Sequence, residues 1–208
     1  MLDPAARRVL DAPLARAAGA LDRPWLSPDR LTAAGLVLGL GSALAAGLQA
    51  WTAALVLWLV SRLADGLDGP LARRRHAAGA PGGAGSGGFF DITADFCVYG
   101  STVLGVAIGA TRGFDAPWEP FAVVLLAYYV NGTAFLAFSS IAERAGRQLD
   151  DGRSLSFLGG LAEGTETIAV HALWLLLPAI AWQVAWVWAV VVAISAAHRM
   201  WIGYRSLR

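Results

Sequence analysis

Six long apolar runs dominate this chain, near Leu31–Ala50, Ala53–Ala72, Phe89–Ala110, Phe121–Ser140, Thr165–Ala181 and Gln183–Ile202. A helix that crosses a bilayer needs about 20 mostly apolar residues, and it satisfies its own backbone N–H and C=O groups where water is absent. A soluble domain has no use for so many runs of this length, least of all with 57% of residues hydrophobic and 15% charged. The predicted fold class is an all-α integral membrane protein with six transmembrane helices.

The net charge of +1 is uninformative, but its placement is not: all sixteen basic residues are Arg. Arg7, Arg8, Arg16, Arg23 and Arg30 precede the first run, and Arg73, Arg74 and Arg75 follow the second. Arg144, Arg147 and Arg153 follow the fourth run, Arg199, Arg205 and Arg208 close the chain, and Arg62 sits within the second run near its Arg-rich end, leaving Arg112 on the other side. Cytoplasmic loops are the Arg-rich ones, so both termini are expected in the cytoplasm, with a bacterial inner membrane as the location. Residues 1–30 form a separate cytoplasmic segment. Leu10, Leu14 and Leu21 recur there at helical intervals, which suits an amphipathic interfacial helix; a solvated tail is the other reading. Residues 31–208 then form the six-helix transmembrane domain. No nucleic-acid partner is expected.

Gly35, Gly39, Ala43 and Gly47 lie four apart in the first run, a stripe of small residues against which another helix can pack closely. Packing within the monomer is the first use expected of it, and a homodimer the second. Ala77–Gly88 is rich in glycine and reads as a flexible linker, with no phosphate-loop pattern. The single cysteine, Cys97, excludes an internal disulfide and is expected to be buried as a small apolar residue.

The second and third runs carry carboxylates that a bilayer disfavours. Asp65, Asp68, Gly69 and Ala72 fall at i, i+3, i+4 and i+7, one stripe of a helix; Gly87, Asp91, Asp95 and Tyr99 fall four apart, another. If the two runs are antiparallel neighbours, four aspartates converge near the cytoplasmic surface. Each ionised carboxylate at membrane depth costs roughly 2.5–3.5 kcal/mol, and Arg62 and Arg73 cannot neutralise four of them. Divalent cations can, and oxygen ligands without His or thiolate suit Mg²⁺, Mn²⁺ or Ca²⁺ rather than zinc. Such a site fits a pyrophosphate substrate, and one aspartate at its edge could take a proton from an attacking hydroxyl. Capping or salt-bridging acids are the plainer reading of any one aspartate, but not of four in matched stripes.

Asp65-x-x-Asp68-Gly69-x-x-Ala72-Arg73 followed by Gly87-x-x-x-Asp91-x-x-x-Asp95 resembles the signature of the CDP-alcohol phosphatidyltransferases, with every fixed position present. Pro28-Asp29-Arg30-Leu31-Thr32 resembles the family's Pro-Asn-x-Leu-Thr before its first span. The resemblance implies an enzyme of phospholipid synthesis that moves a phosphatidyl group from CDP-diacylglycerol to a small alcohol acceptor. It implies that Asp65, Asp68, Asp91 and Asp95 are metal ligands, with Asp95 also the general base. It implies that Gly69 permits close approach of the cytidine nucleotide and that Arg73 contacts the CDP phosphates, with Ala72, Gly87, Asp29 and Thr32 on the same substrate-binding surface. The expected cofactor is a pair of Mg²⁺ or Mn²⁺ ions. Two departures stand out. Thirteen residues separate Arg73 from Gly87, more than the family usually has, and Asp29 replaces the usual Asn, adding a negative charge near the nucleotide phosphates.

An intramembrane prenyltransferase also holds Mg²⁺-pyrophosphate through aspartates, but its two motifs lie far apart, whereas Asp68 and Asp91 are separated by 23 positions. A non-enzymatic cation-binding membrane protein would have no need of Gly69, Ala72 and Arg73. For the acceptor, Glu163 and Glu166 share one helix face at the start of the fifth run. Glu163 is expected to cap the helix, and Glu166 to line the acceptor pocket. Arg153 either binds an acceptor phosphate or is solvated. His171 and His198 are expected to be packed or hydrogen-bonded rather than ligands.

Overall fold

The computed structural model describes residues 3–79, 85–145 and 162–208, with side chains from residue 9 onward. These residues form α1 (Asp3–Leu21), α2 (Pro28–Gly47), α3 (Trp51–Ala77), α4 (Ser86–Phe114), α5 (Glu119–Arg144), α6 (Gly164–Leu176) and α7 (Ala181–Ser206), with a 3-10 turn at Pro178–Ile180 before α7. No strand occurs among them. Arg153 and residues 80–84 of the glycine-rich linker lie outside the described residues. The linker's described edges, Gly79 and Gly85, have φ of +87° and +89°, a conformation other residues rarely adopt.

α2 starts at Pro28, three residues before the first apolar run. Ser27 caps it, its side chain accepting from the Arg30 N–H at 3.2 Å, Pro28 sits in the first turn, and Asp29 places an acid at the positive end of the helix dipole.

Among the described residues, α2, α4, α5 and α7 with its leading 3-10 turn are long and apolar enough to cross a membrane. This is a membrane protein with four such helices where six were expected. The two others differ for separate reasons. α3 has 27 residues but carries Arg62, Asp65, Asp68 and three further arginines, and α6 has only 13 residues before the chain meets Pro178.

The small-residue stripe is used inside the chain. A methyl group on Gly39 would run into Val98 of α4, and on Gly105 and Gly109 it would run into the backbone of Ala43 and Ala46. Lipid gives helices no hydrophobic drive to associate, so such close backbone approach supplies the packing. Gly109→Leu should therefore destabilise the protein by at least about 1–3 kcal/mol, the usual range for overpacking. Thermal unfolding in detergent would show it, and an unchanged midpoint would contradict this packing of α2 on α4.

α5 packs on α7, and Trp58, Phe121, Val124 and Trp174 are fully or almost fully buried between the helices. The Trp58 indole donates to the Ile168 carbonyl at 3.3 Å, which ties α3 to α6. The N-terminal segment is helical, and Leu14, Ala17 and Ala18 of α1 pack against Leu26, Leu31, Leu67 and Leu71, so a loose tail does not describe residues 3–21. Cys97 is exposed rather than buried. It follows Asp95 by two positions, roughly 200° around the helix, so it faces outward when the Asp95 stripe faces in.

Candidate active site

The C-terminal half of α3 and the first turns of α4 bring the acidic stripes together. One carboxylate oxygen from each of Asp65, Asp68 and Asp91 lies within 4.8 Å of the others. Asp68 is buried, 7% exposed, and the Thr32 hydroxyl donates to its Oδ2 at 2.6 Å. The first turns of α2 therefore join the site through Thr32, which orients a carboxylate. Asp29 arrives beside it: a Cβ built on Gly87 would stand 3.5 Å from Asp29 Oδ1.

The three oxygens fit a divalent cation by their chemistry and by their closeness. Hard oxygen donors crowded at this spacing repel one another unless a cation or protons sit between them.

Asp95 is not among the three. Its Oδ1 accepts from the Arg62 guanidinium at 2.6 Å, and the same nitrogen stands 3.6 Å from Asp65. The contact with Asp65 is local to α3, at i, i+3, whereas the contact with Asp95 reaches across to α4, and both helices pack on α2. Tyr99, at the end of the second stripe, has its hydroxyl 3.4 Å from the Arg62 nitrogen.

The arginine triplet divides its work. Arg74 and Arg75 bind Asp22 in the α1–α2 connection at 3.2 and 2.9 Å, and Arg75 also donates to the Arg23 carbonyl. The hydrogen bond from Arg75 is the largest influence holding the Asp22 carboxyl below its usual range. Arg73 instead extends over Gly69, where a Cβ would lie 3.3 Å from its terminal nitrogen. Half-buried Gly69 and exposed Arg73 thus form one edge beside the carboxylates, with Ala72 also exposed.

A cavity of about 420 Å³ opens beside Asp95, between α4, α5, the start of α6 and α7. Its polar lining includes Asp95, Tyr99, Tyr128, Asn131, Glu163 and Arg199. Glu163 stands at the N-cap position of α6, but its carboxylate makes no capping bond, and it is this residue that lines the cavity. Glu166 does not line it and is only half-buried. Glu163, expected as a cap, thus stands at the cavity without a capping bond, because Ala162 and Glu163, which lead into α6, both line it. Arg199, in the sequence one of the arginines that close the chain, is 5% exposed, and its guanidinium lies over the Phe135 ring at 5.7 Å. Tyr128 accepts from the Trp188 indole at 2.7 Å and bonds His171 at 2.9 Å, and the His171 ring stacks on Trp174. His171 is thus packed and hydrogen-bonded as expected, while His198 is exposed.

The family model described as CDP-alcohol phosphatidyltransferase matches residues 25–201. The chain is 36% identical over 194 residues to the inner membrane protein YnjF of Escherichia coli, covering 90% of this chain and 88% of that one. It is similar in structure to the phosphatidylinositol phosphate synthase of Mycobacterium tuberculosis with CDP-DAG bound, with a TM-score of 0.70 and 21% identity over 92% of this chain and 93% of that one. The same enzyme in complex with manganese and citrate gives a TM-score of 0.69 at 21% identity, over 92% and 88%. At that identity the structural likeness concerns the fold.

Proposed function

The chain belongs to the CDP-alcohol phosphatidyltransferase family, and from that premise we propose that it transfers a phosphatidyl group from CDP-diacylglycerol to the hydroxyl of a small alcohol, releasing CMP. The observation that carries this reading is the convergence of Asp65, Asp68 and Asp91 beside a cavity that Asp95 lines. Asp65, Asp68 and Asp91 would hold Mg²⁺ or Mn²⁺. Such ions neutralise pyrophosphate charge and stabilise the departing phosphate.

Every other part is assigned to the chain's own residues. Thr32 holds Asp68 in place through its 2.6 Å hydrogen bond. Gly69 leaves room for the cytidine nucleotide and Arg73 pairs with its phosphates, at the edge the two residues share. Ala72 and Gly87 keep the same surface small, and Asp29 borders it. The acceptor stands in the cavity with its hydroxyl toward Asp95, which takes the proton as the oxygen attacks the phosphorus bearing diacylglycerol. The bond from that phosphorus to the CMP oxygen breaks, and CMP leaves with the electron pair. Glu163 and Arg199 give the cavity both signs of charge, which suits a polar acceptor.

In the membrane, this reading takes α3 and α6 as crossings too, giving six with both termini in the bacterial cytoplasm. The gathering of arginines at one side of the runs supports that orientation. α1 then lies along the cytoplasmic interface, and residues 31–208 form the catalytic domain.

The test is a panel of alcohols (serine, glycerol phosphate, inositol phosphate, choline) supplied with labelled CDP-diacylglycerol to the purified protein. One acceptor should give a labelled phospholipid in step with CMP. Hydrolysis to phosphatidic acid with every acceptor would contradict transfer.

A further inference from the structure

Three helices meet at the hydroxyl of Tyr128, a residue of α5 that lines the cavity. From α7 the Trp188 indole N–H donates to it at 2.7 Å, and from α6 His171 Nε2 stands 2.9 Å away. The His171 ring is fully buried, stacked on Trp174 at 4.7 Å, with the Trp58 and Tyr99 rings at 4.9 and 5.6 Å. A neutral imidazole carries its proton on one nitrogen, and that choice decides where the phenol proton points. With the proton on Nδ1, Tyr128 would donate to Nε2. Among the described residues Nδ1 has no partner, and neither has the Trp174 indole N–H on the ring stacked against it. Two neighbouring N–H donors would then be buried without an acceptor, and buried N–H groups are rarely left so. With the proton on Nε2, His171 donates to Tyr128 and only a lone pair is left over at Nδ1. The phenol oxygen then accepts from both Trp188 and His171, and its own O–H is turned away from them.

We propose that Tyr128 is a specificity-determining residue: its O–H donates into the cavity, to an oxygen of the acceptor other than the reacting hydroxyl. The inference rests on the transferase reading above and narrows its acceptor to alcohols with a second oxygen group, such as a polyol, a polyol phosphate or a hydroxy acid. An amino alcohol whose single oxygen is the reacting one leaves this donor without a partner. Two N–H groups behind the phenol oxygen draw charge from it and make its O–H the stronger donor. Thr167 also lines the cavity, but its hydroxyl proton goes to the Glu163 carbonyl at 2.8 Å, so it does not stand in for Tyr128 as a donor. Arg199, at the same cavity, offers N–H donors only, which suits the same oxygen-bearing acceptor. A site built to hydrogen-bond a substrate group rejects an analogue lacking that group far more strongly than an apolar wall does.

The test has two parts, and the first does not depend on turnover. It is the ¹⁵N spectrum of the purified, histidine-labelled protein. The chain has three histidines, and His76 and His198 are exposed, so replacing both by glutamine leaves His171 as the one signal. The result expected is a protonated Nε2 and a bare Nδ1; a proton on Nδ1 would overturn the proposal. The second part is acceptor kinetics with serine, glycerol phosphate, inositol phosphate, choline and ethanolamine. An acceptor with a second oxygen group should be the best substrate of the parent. Tyr128→Phe should raise its KM by about tenfold or more, with the KM for CDP-diacylglycerol held within about threefold. The variant should also lose preference for that acceptor over ethanolamine, whereas a merely structural defect would lower transfer to both alike. An unchanged acceptor KM would overturn the proposal, because the phenol proton is then held within the protein, and so would choline or ethanolamine as the best substrate of the parent. If Tyr128→Phe fails to fold, the ¹⁵N result and the parent's own acceptor preference decide. Transfer to no acceptor at all would overturn the transferase reading together with the proposal, while failure of the proposal alone leaves transfer intact.

Discussion

Replacing Asp91 or Asp68 by alanine is expected to abolish transfer, with turnover falling by at least about 10³-fold, while the protein stays inserted and folded. The size follows from the work assigned to these carboxylates. A bound cation contributes several kcal/mol of charge stabilisation at a transferring phosphoryl group, and each 1.4 kcal/mol is about a factor of ten in rate. The fold should tolerate both changes. Asp68, Asp65 and Asp91 crowd their oxygens within 4.8 Å, so removing one relieves repulsion and desolvation instead of deleting packing. Thr32 loses its Asp68 partner in Asp68→Ala but keeps the Pro28 carbonyl at 3.2 Å. CMP release, with a melting curve and a size-exclusion profile in detergent for each variant, checks both halves. Normal turnover in either variant would show that the cluster is not catalytic.

Asp95→Asn should separate binding from chemistry. A substrate hydroxyl is a poor nucleophile near neutral pH, and a positioned general base typically contributes about 10²- to 10⁴-fold. The asparagine keeps the size and one oxygen of Asp95 but not its basicity, so turnover at saturating acceptor should fall by about 10²-fold or more. Donor binding, with metal, should stay within about tenfold of the parent, since Gly69, Arg73 and the three-carboxylate group are untouched. The cavity beside Asp95 gives the lost function its place: the acceptor still enters, but nothing there takes its proton. Titration of the CDP-linked donor and the transfer rate form the pair of measurements. Lost donor binding would make Asp95 chiefly a structural group, and an unchanged rate would move the base to another residue of the cavity, with Glu163 next in line.

What could be read before any coordinates were known was whatever has a period. The aspartates of α3 and α4 declare themselves by helical spacing in apolar surroundings, and the small residues of α2 do the same. Both patterns are local, so two acidic stripes and a close-packing face on α2 can be read from them, whereas the meeting of Asp65 and Asp68 with Asp91, and α4 as a partner of α2, come from the fold. The cavity could not be read this way, because its lining comes from α4, α5, the start of α6 and α7, and only the packing of the helices decides which of their faces meet. Glu163 and Glu166 are one turn apart on the same face, and only the path of the chain into α6 decides which lines the cavity. Arg62 stands out as an arginine within an apolar run, but its contact with Asp95 depends on how α3 and α4 each pack on α2. Cys97 was misread because hydrophobicity alone does not tell a core-facing position from a lipid-facing one. The six runs proved uneven for a related reason: the residues that make α3 a site also make it a poor apolar span.

The most direct test of a metal-dependent phosphatidyl transferase is CMP release from CDP-diacylglycerol by the purified protein, stripped of metal by a chelator and then given Mg²⁺ or Mn²⁺ with the acceptor from the alcohol panel. The result expected is no CMP in the stripped sample and restored release on adding either ion, together with the phospholipid product. Full CMP release in the stripped sample would contradict the role given to Asp65, Asp68 and Asp91. No release with any acceptor after metal is restored, from protein that still binds Mn²⁺, would contradict the transferase itself.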